Sequence, residues 1–462
     1  MLFQTQGFLL LFLPVFLACY YAAARHTGLR VAVLVTGSLV FYGFWDARFV
    51  PLLLGQMLGT WLCAALFFRT RLRAILWIGI AANLAVLAAF KYVDFLVGTV
   101  EAISGLDLPR AGWLLPIGIS FFTFEMVSYL ADLLRGHEVR YRLSRFSLFI
   151  LFFPRLIAGP IVRHNEIVWQ FELDPVRPGL AERFGKGFVL LTIGLAKKVL
   201  IADPLATLAD PVFAQASGAA PSLIDAWAGT LAFTLQLYFD FSAYSDMAIG
   251  LALMMGLALP VNFDAPYRAA SLRDFWRRWH MTLSRYIRDY LYIPLGGSRH
   301  GMGTFVTATM VSMTICGLWH GAGWTFVLWG ALHGAGLVAN RAWQGAGARL
   351  PVVLAWPVTM LFVMAGWVLF RAPDFGTAAS LYAGLAGAGG PGAPIVEATS
   401  QTVLWTLLAG AIVALAGPTS QVYVERFLIP WSVVALGWAL AFVYCVLAIG
   451  GQNPVSFIYF QF

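Results

Sequence analysis

Apolar stretches of membrane-spanning length follow one another almost without a break along this chain of 462 residues. A helix needs roughly 20 mostly apolar residues to cross the hydrocarbon core of a bilayer. The pattern predicts such helices over 8–24, 29–45, 49–68, 74–98, 113–134, 187–202, 223–240, 241–258, 302–318, 321–340, 352–370, 402–417 and 431–450. Two stretches fit the pattern badly. The run 146–162 carries Pro154, Arg155, Gly159 and Pro160 among its apolar residues, and Tyr290 to Gly297 reads YLYIPLGG. Both are predicted to be re-entrant or interfacial. Irregular backbone at membrane depth is tolerated only where protein or water surrounds it, so these segments imply a thick protein body with an internal cavity. The expected fold class is an all-α polytopic membrane protein, with 1–462 forming one integral-membrane domain. Within it, 262–300 is expected to be cytoplasmic or re-entrant and 384–396 to be an outer loop.

Composition supports that class. The chain is 60% hydrophobic and 11% charged, whereas soluble domains carry about 25% charged residues, so a set of soluble domains is excluded. The formal charge of +8 resides in short loops, as expected where basic loops stay on the cytoplasmic side. The anionic partner is then lipid headgroups or a soluble carrier, and no nucleic acid. With an outside N-terminus, the inside loops carry Arg25, Arg30, Arg69, Arg71, Arg73, Arg135, Arg140, Arg142 and Arg145, against Arg48 and Arg110 outside. The same alternation puts Arg341, Arg349 and Arg426 inside. The first apolar run lacks a preceding basic region and reads as an uncleaved span. Cys19, Cys63, Cys316 and Cys445 lie scattered in apolar stretches and read as small buried hydrophobes, not as a disulfide framework or a zinc site.

One segment is too charged to cross lipid. Read as a helix from a Ser271 cap, Arg273, Arg277, His280, Ser284 and Arg288 recur at spacings that share a face. Trp276, Trp279, Leu283 and Ile287 form an adjoining apolar face. Such a helix suits the membrane interface. It equally suits docking of the phosphates of an acyl carrier, with Arg277, Arg278, Arg285 and Arg288 as candidate contacts.

Downstream, His320 lies within an otherwise apolar stretch, where an ionisable residue is a candidate for function. Gly317, Gly321 and Gly323 around it suggest open space, and Trp319, Trp324 and Trp329 suggest the rigid walls of a passage. Burial favours the neutral imidazole, whose free lone pair could take a hydroxyl proton. The plainer reading is a hydrogen-bonded structural histidine. No metal is expected, because His280, His320 and His333 lack ligand-like spacing. Asp240, Ser242, Tyr244, Ser245 and Asp246 are polar where a scaffold would be apolar; they suit either bonding of broken backbone or orientation of His320. Glu125 and Lys91 are further intramembrane charges, expected to be paired and structural.

These segments together resemble the membrane-bound O-acyltransferase (MBOAT) family, in its bacterial branch of alginate and cellulose O-acetyltransferases and teichoic-acid D-alanyl transfer proteins. The resemblance rests on FYGFWD at 41–46, LPIGISFFTF at 115–124, FPRLIAGPI at 153–161, YFDFSAYSDM at 238–247, Asn262-Phe263 through Tyr267, the Arg-Trp-His segment, and 317–330. It implies a ring of helices around a thin centre where a cytoplasmic and an outer funnel meet. It implies catalysis at His320 with His280 as the second motif histidine, acetyl-CoA as donor and no bound cofactor. The closing run Phe457 to Phe462 (FIYFQF) is similar to a built-in acyl-transfer tail, with Tyr459 as candidate acyl carrier; by composition alone it is an aromatic interface anchor. The resemblance further implies a bacterial inner-membrane protein that works with a periplasmic SGNH-hydrolase-like acetyltransferase and polysaccharide export or synthase machinery. The expected function is O-acetylation of an exported polysaccharide. Competing readings are a transporter without chemistry, or an acyltransferase acting directly on teichoic acid, peptidoglycan or protein.

Overall fold

The computed structural model describes residues 2–347, 350–390, 394–429, 432–450 and 457–458, and all regular structure among them is helical. The chain divides into two compact units. The first comprises Met1–Thr192, Tyr244–Pro260 and Val446–Pro454; the second comprises Ile193–Ala243, Val261–Cys445 and Val455–Phe462.

In the first unit a π turn, Gly7–Phe12, leads into α1 (Leu13–Ala22), followed by α2 (Thr27–Gly43), α3 (Val50–Thr70), α4 (Arg73–Ser104), α5 (Ile119–Leu134) and α6 (Leu143–Leu151). The helix boundaries have local causes. Pro51 in the first turn of α3 needs no N–H there, and Gly105 in the left-handed region closes α4. Gly118, at φ 75°, opens α5; a Cβ there would lie 2.7 Å from the Leu156 carbonyl oxygen. That turn pushes the helix predicted from 113 back to Ile119. The 146–162 stretch is broken, as its composition predicts. After α6 come only the short α7 (Phe153–Leu156) and irregular backbone to Val162, then α8 (His164–Ile167). Arg155, buried, pairs with buried Glu125 of α5 and lies over the Phe149 ring. Glu125 is thus paired, as expected. Helix α9 (Leu180–Ala196) crosses the end of the later helix Leu223–Met254 at Gly187 and Gly250, where a Cβ on either would lie within 2.6 Å of the other's carbonyl oxygen.

In the second unit a π turn, Lys197–Ala202, carries the chain directly from α9 into α10 (Asp203–Ala216), so the helix predicted to end at 202 continues. Next is α11 (Leu223–Met254), whose last residues belong to the first unit. It runs unbroken through 223–240 and on to Met254 as one 32-residue helix, where two spans, 223–240 and 241–258, were expected. No Gly, Pro or turn residue separates Asp240 from Phe241, and nothing local stops the helix there. The later helices are α12 (Leu272–Arg278), α13 (Met281–Ile287), α14 (Gly301–His320), α15 (Trp324–Gly345), α16 (Val352–Arg371), α17 (Phe375–Leu385), α18 (Ile395–Ala398), α19 (Gln401–Ala416), α20 (Ser420–Val422) and α21 (Ser432–Gly450).

Among the described residues, five helices are long and apolar enough to cross a membrane: Ala47–Thr70, Arg73–Ser104, Gly301–His320, Val352–Arg371 and Ser432–Gly450. A sixth span arises if Gln401–Ala416 and Ser420–Phe427, bent by 69°, count as one. The apolar windows at 8–24 and 29–45 form shorter helices, Gly7–Ala22 and Thr27–Gly43.

Candidate functional site

His320 is the last residue of α14, and Gly321 to Gly323 separate it from α15. The glycines here do not leave open space, as the sequence suggested; they let two helices touch. A Cβ on Gly317 would strike the Phe326 carbonyl and lie 3.0 Å from the Gly330 Cα. A Cβ on Gly330 would strike the Met313 carbonyl in return, and one on Gly321 would strike the Phe326 ring. The backbones of α14 and α15 therefore meet at Gly317 and Gly330, and His320 sits one turn beyond that crossing. Its imidazole is buried among rings: Trp319 at 4.9 Å, Trp329 at 5.2 Å and Phe370 of α16 at 5.2 Å between centroids. Trp319 and Trp329 line this pocket of rings, while Trp324 is half exposed.

His280 joins the same cluster from another direction. The sequence pattern predicted one helix through Arg288, but the chain breaks at Trp279 and His280, and His280 takes the left-handed conformation at φ 41°. The start behaves as predicted, with the Ser271 hydroxyl accepting the Asp274 N–H at 3.2 Å. The break is held from a distance by Asn262. Its side-chain oxygen accepts the Thr282 N–H at 3.2 Å and the Thr282 hydroxyl at 2.8 Å, and lies 3.2 Å from His280 Nδ1. Met281 N–H donates to the Asn262 carbonyl at 2.9 Å. Because that Asn262 atom already accepts a backbone N–H, it is an oxygen, and His280 Nδ1 must donate to it. The proton is thereby fixed on Nδ1, and Nε2 is a buried acceptor with no hydrogen-bond partner among the described residues. The residue lies between two short helices, outside the spanning ones, and burial pushes its pKa far below the usual histidine range. The His280 ring is edge-on to Phe241 at 4.6 Å and 6.3 Å from Trp319. Trp319 therefore touches both histidines.

The apolar face of the Arg-Trp-His segment is turned into protein. Trp276, Trp279, Leu283 and Ile287 are all buried. Trp279 packs on Phe275, Trp367 and Phe263 at 5.6, 4.9 and 5.1 Å. The outer face carries the arginines. Arg277 and Arg288 are exposed, while Arg278 and Arg285 are partly covered. Arg278 reaches Asp274 at 3.0 Å and Arg288 reaches Asp289 at 2.7 Å, so part of this charge is already balanced.

Two features escaped the sequence reading. His333, buried on α15, accepts the Trp276 indole N–H at 3.3 Å and packs on Trp329 at 4.8 Å. Its position four residues after Trp329, on the same helix face, was the available signal. The second is a buried charge cluster. Lys198 of the π turn pairs with Asp203 at 2.7 Å and Asp240 at 2.8 Å. Asp240 also accepts the Ile458 N–H at 2.7 Å. Asp240 thus bonds backbone, one of the two roles expected of it. Tyr459 lies outside the described residues.

Among the described residues no group of three or more His, Cys, Asp or Glu side chains could hold a metal ion. The arrangement does offer proton transfer: imidazoles enclosed by rings, with a basic, solvent-facing surface on the same segment as one of them.

The sequence profile described as "MBOAT, membrane-bound O-acyltransferase family" matches residues 119–370. A probable alginate O-acetylase AlgI of Pseudomonas aeruginosa is 43% identical over 83% of this chain and 74% of its own length. A peptidoglycan O-acetyltransferase of Helicobacter pylori is 39% identical over 84% of this chain and 80% of its own. A probable alginate O-acetylase AlgI of Azotobacter vinelandii is 37% identical over the whole of both chains.

Proposed function

This chain belongs to the membrane-bound O-acyltransferase family and is a multi-pass membrane O-acyltransferase; on that premise we propose that it takes acetyl groups from cytoplasmic acetyl-CoA and passes them across the bacterial inner membrane for O-acetylation of an exported, alginate- or cellulose-like polysaccharide. The observation that carries this reading is the burial of His320 among Trp319, Trp329 and Phe370, one aromatic ring away from His280. A transporter without chemistry is set aside by the family.

In the proposed reaction His320 is the general base. It takes the proton of an acceptor hydroxyl as that oxygen attacks the thioester carbonyl; the C–O bond forms, the C–S bond breaks, and the thiolate of coenzyme A leaves with the proton returned to it. A thioester is already activated, so a single well-placed base suffices. Arg277, Arg278, Arg285 and Arg288 bind the phosphates of the coenzyme from the aqueous side, where Arg forks suit phosphate oxygens. His280, with its proton fixed on Nδ1, positions the donor through Nε2. Tyr459 receives the acetyl group on its phenolic oxygen and yields it to a periplasmic SGNH-hydrolase-like partner that serves the polysaccharide machinery. The hydrophilic coenzyme then never crosses the membrane. The relative from H. pylori favours a second reading in which the final acceptor is peptidoglycan.

The test is incubation of the purified protein with isotopically labelled acetyl-CoA, followed by mass spectrometry. The label is expected on Tyr459 in the wild type and absent in His320→Ala. A folded His320→Ala protein that supports normal acetylation of the polymer in cells removes the catalytic assignment.

A further inference from the structure

We propose that the Lys198–Asp240 pair is a seat for Phe457 and Ile458 near the end of this chain, gripping them through the backbone N–H of Ile458. The charge count is the first reason. Lys198 lies within 2.8 Å of two carboxylates, Asp203 and Asp240, and all three side chains are buried. Two carboxylates against one ammonium leave a formal negative charge in a medium that solvates it poorly. Such a group must be hydrogen-bonded to be tolerated. Asp240 meets the need with both oxygens: Oδ1 takes the lysine, and Oδ2 takes the Ile458 N–H at 2.7 Å. A peptide N–H brings a donor without a compensating charge, so the cluster stays attached to the pairing of Lys198 while its surplus is spread.

Packing is the second reason. Phe457 and Ile458 are each about as buried as any core residue, at 1% exposure. The Phe457 ring stands 5.8 Å from Phe241, the residue after the seat's own aspartate. Phe241 in turn presents its edge to His280 at 4.6 Å. The grip is therefore double: a backbone hydrogen bond that ignores the side chain at 458, and an aromatic slot that reads the ring at 457. Phe457 and Ile458 are thus seated one phenylalanine from the histidine cluster. The seat stands independently of any chemistry. Its consequence, that Asp240 is a positioning residue for delivery of Tyr459, rests on the acyl-transfer reading above.

Hydrogen–deuterium exchange mass spectrometry on the full chain in lipid nanodiscs tests the seat. In Asp240→Ala, exchange in the peptide covering 457–462 is expected to rise by about tenfold or more, the value of one hydrogen bond to a charged group, while the peptide containing His320 is unchanged. Because Asp240→Ala strands Lys198 and can fail to fold, Ile458→Pro is the second variant. It removes the donor and leaves the charge cluster whole, and the same local rise is expected. Wild-type exchange at 457–462 in a folded Ile458→Pro protein overturns the seat. The labelled-acetyl experiment separates the two claims. A label on Tyr459 together with unresponsive exchange sinks the seat and keeps the carrier; responsive exchange with no label on the segment keeps the seat and sinks the carrier.

Discussion

Helices α21 and α11 are both long, and the apolar pattern of the chain predicts membrane spans in each, yet only α21 is apolar enough along its length to cross a membrane. Their surroundings differ completely. Along α21, Val433, Leu436, Leu440, Val443 and Leu447 are exposed, with Val433 at 76%, and the helix carries no charged side chain. Along α11, Thr230, Thr234, Gln236, Asp240 and Ser242 are buried within protein. An apolar face left bare in this way is what lipid tails cover. A helix that buries carboxylates and amides must be covered by groups that answer them. The pair teaches that the polar side chains of these helices sit where protein, not lipid, is the solvent. Length and apolarity mark the wall; polar residues at helical spacing mark the interior.

That contrast can be broken or sharpened by substitution. The largest effect is expected at His320. His320→Ala should lower acetyl transfer by about a hundredfold to ten-thousandfold with an unchanged melting curve in detergent; a parallel loss of stability would make the residue structural. Lys198→Ala leaves Asp203 and Asp240 facing each other without a cation. It should cost about 3–5 kcal/mol, read as a large fall in Tm, and a wild-type Tm would show that the cluster is solvated. Gly317→Ala pushes α14 from α15 at their crossing and should cost about 1–3 kcal/mol, with activity falling further because His320 shifts with the helix. Arg277→Ala, at an exposed position, should raise KM for acetyl-CoA about fivefold and leave kcat alone, an effect that added salt should shrink. Leu440→Ala on the open face of α21 should change stability by no more than about 0.5 kcal/mol; a larger loss would mean that a protein partner covers that face.

What the residues announced and what they hid divides along the same line. Local signals worked. Ser271 starts a helix, the prolines and glycines of 146–162 break one, and the apolar windows at 49–68, 352–370 and 431–450 are helices within a few residues. The break at His280 was hidden because its cause, Asn262, is 18 residues away in sequence and acts through the fold. The glycines near His320 misled because a missing side chain looks the same whether it makes room for a ligand or for another helix; only the Phe326 and Gly330 backbone tells them apart. The Lys198 cluster was only half visible: Asp240 stood out as a polar residue, but Lys198 and Asp203 lie about 40 residues before it and only the fold brings them to it. His320 itself stood out because imidazole is rare among such neighbours, and that signal needs no partner.

The unbroken length of α11 has a last consequence. Fifteen residues separate Asp225 from Asp240, about 22 Å along the axis at 1.5 Å per residue. Each end of that interval clasps the main chain of a remote stretch: Asp225 takes the Val396 N–H at 2.8 Å, and Asp240 that of Ile458. The rod is thus a ruler with two hooks, fixing the depth of the short helix α18 against that of Ile458. Any tilt of the ruler within a thinner or thicker bilayer must move both hooks together.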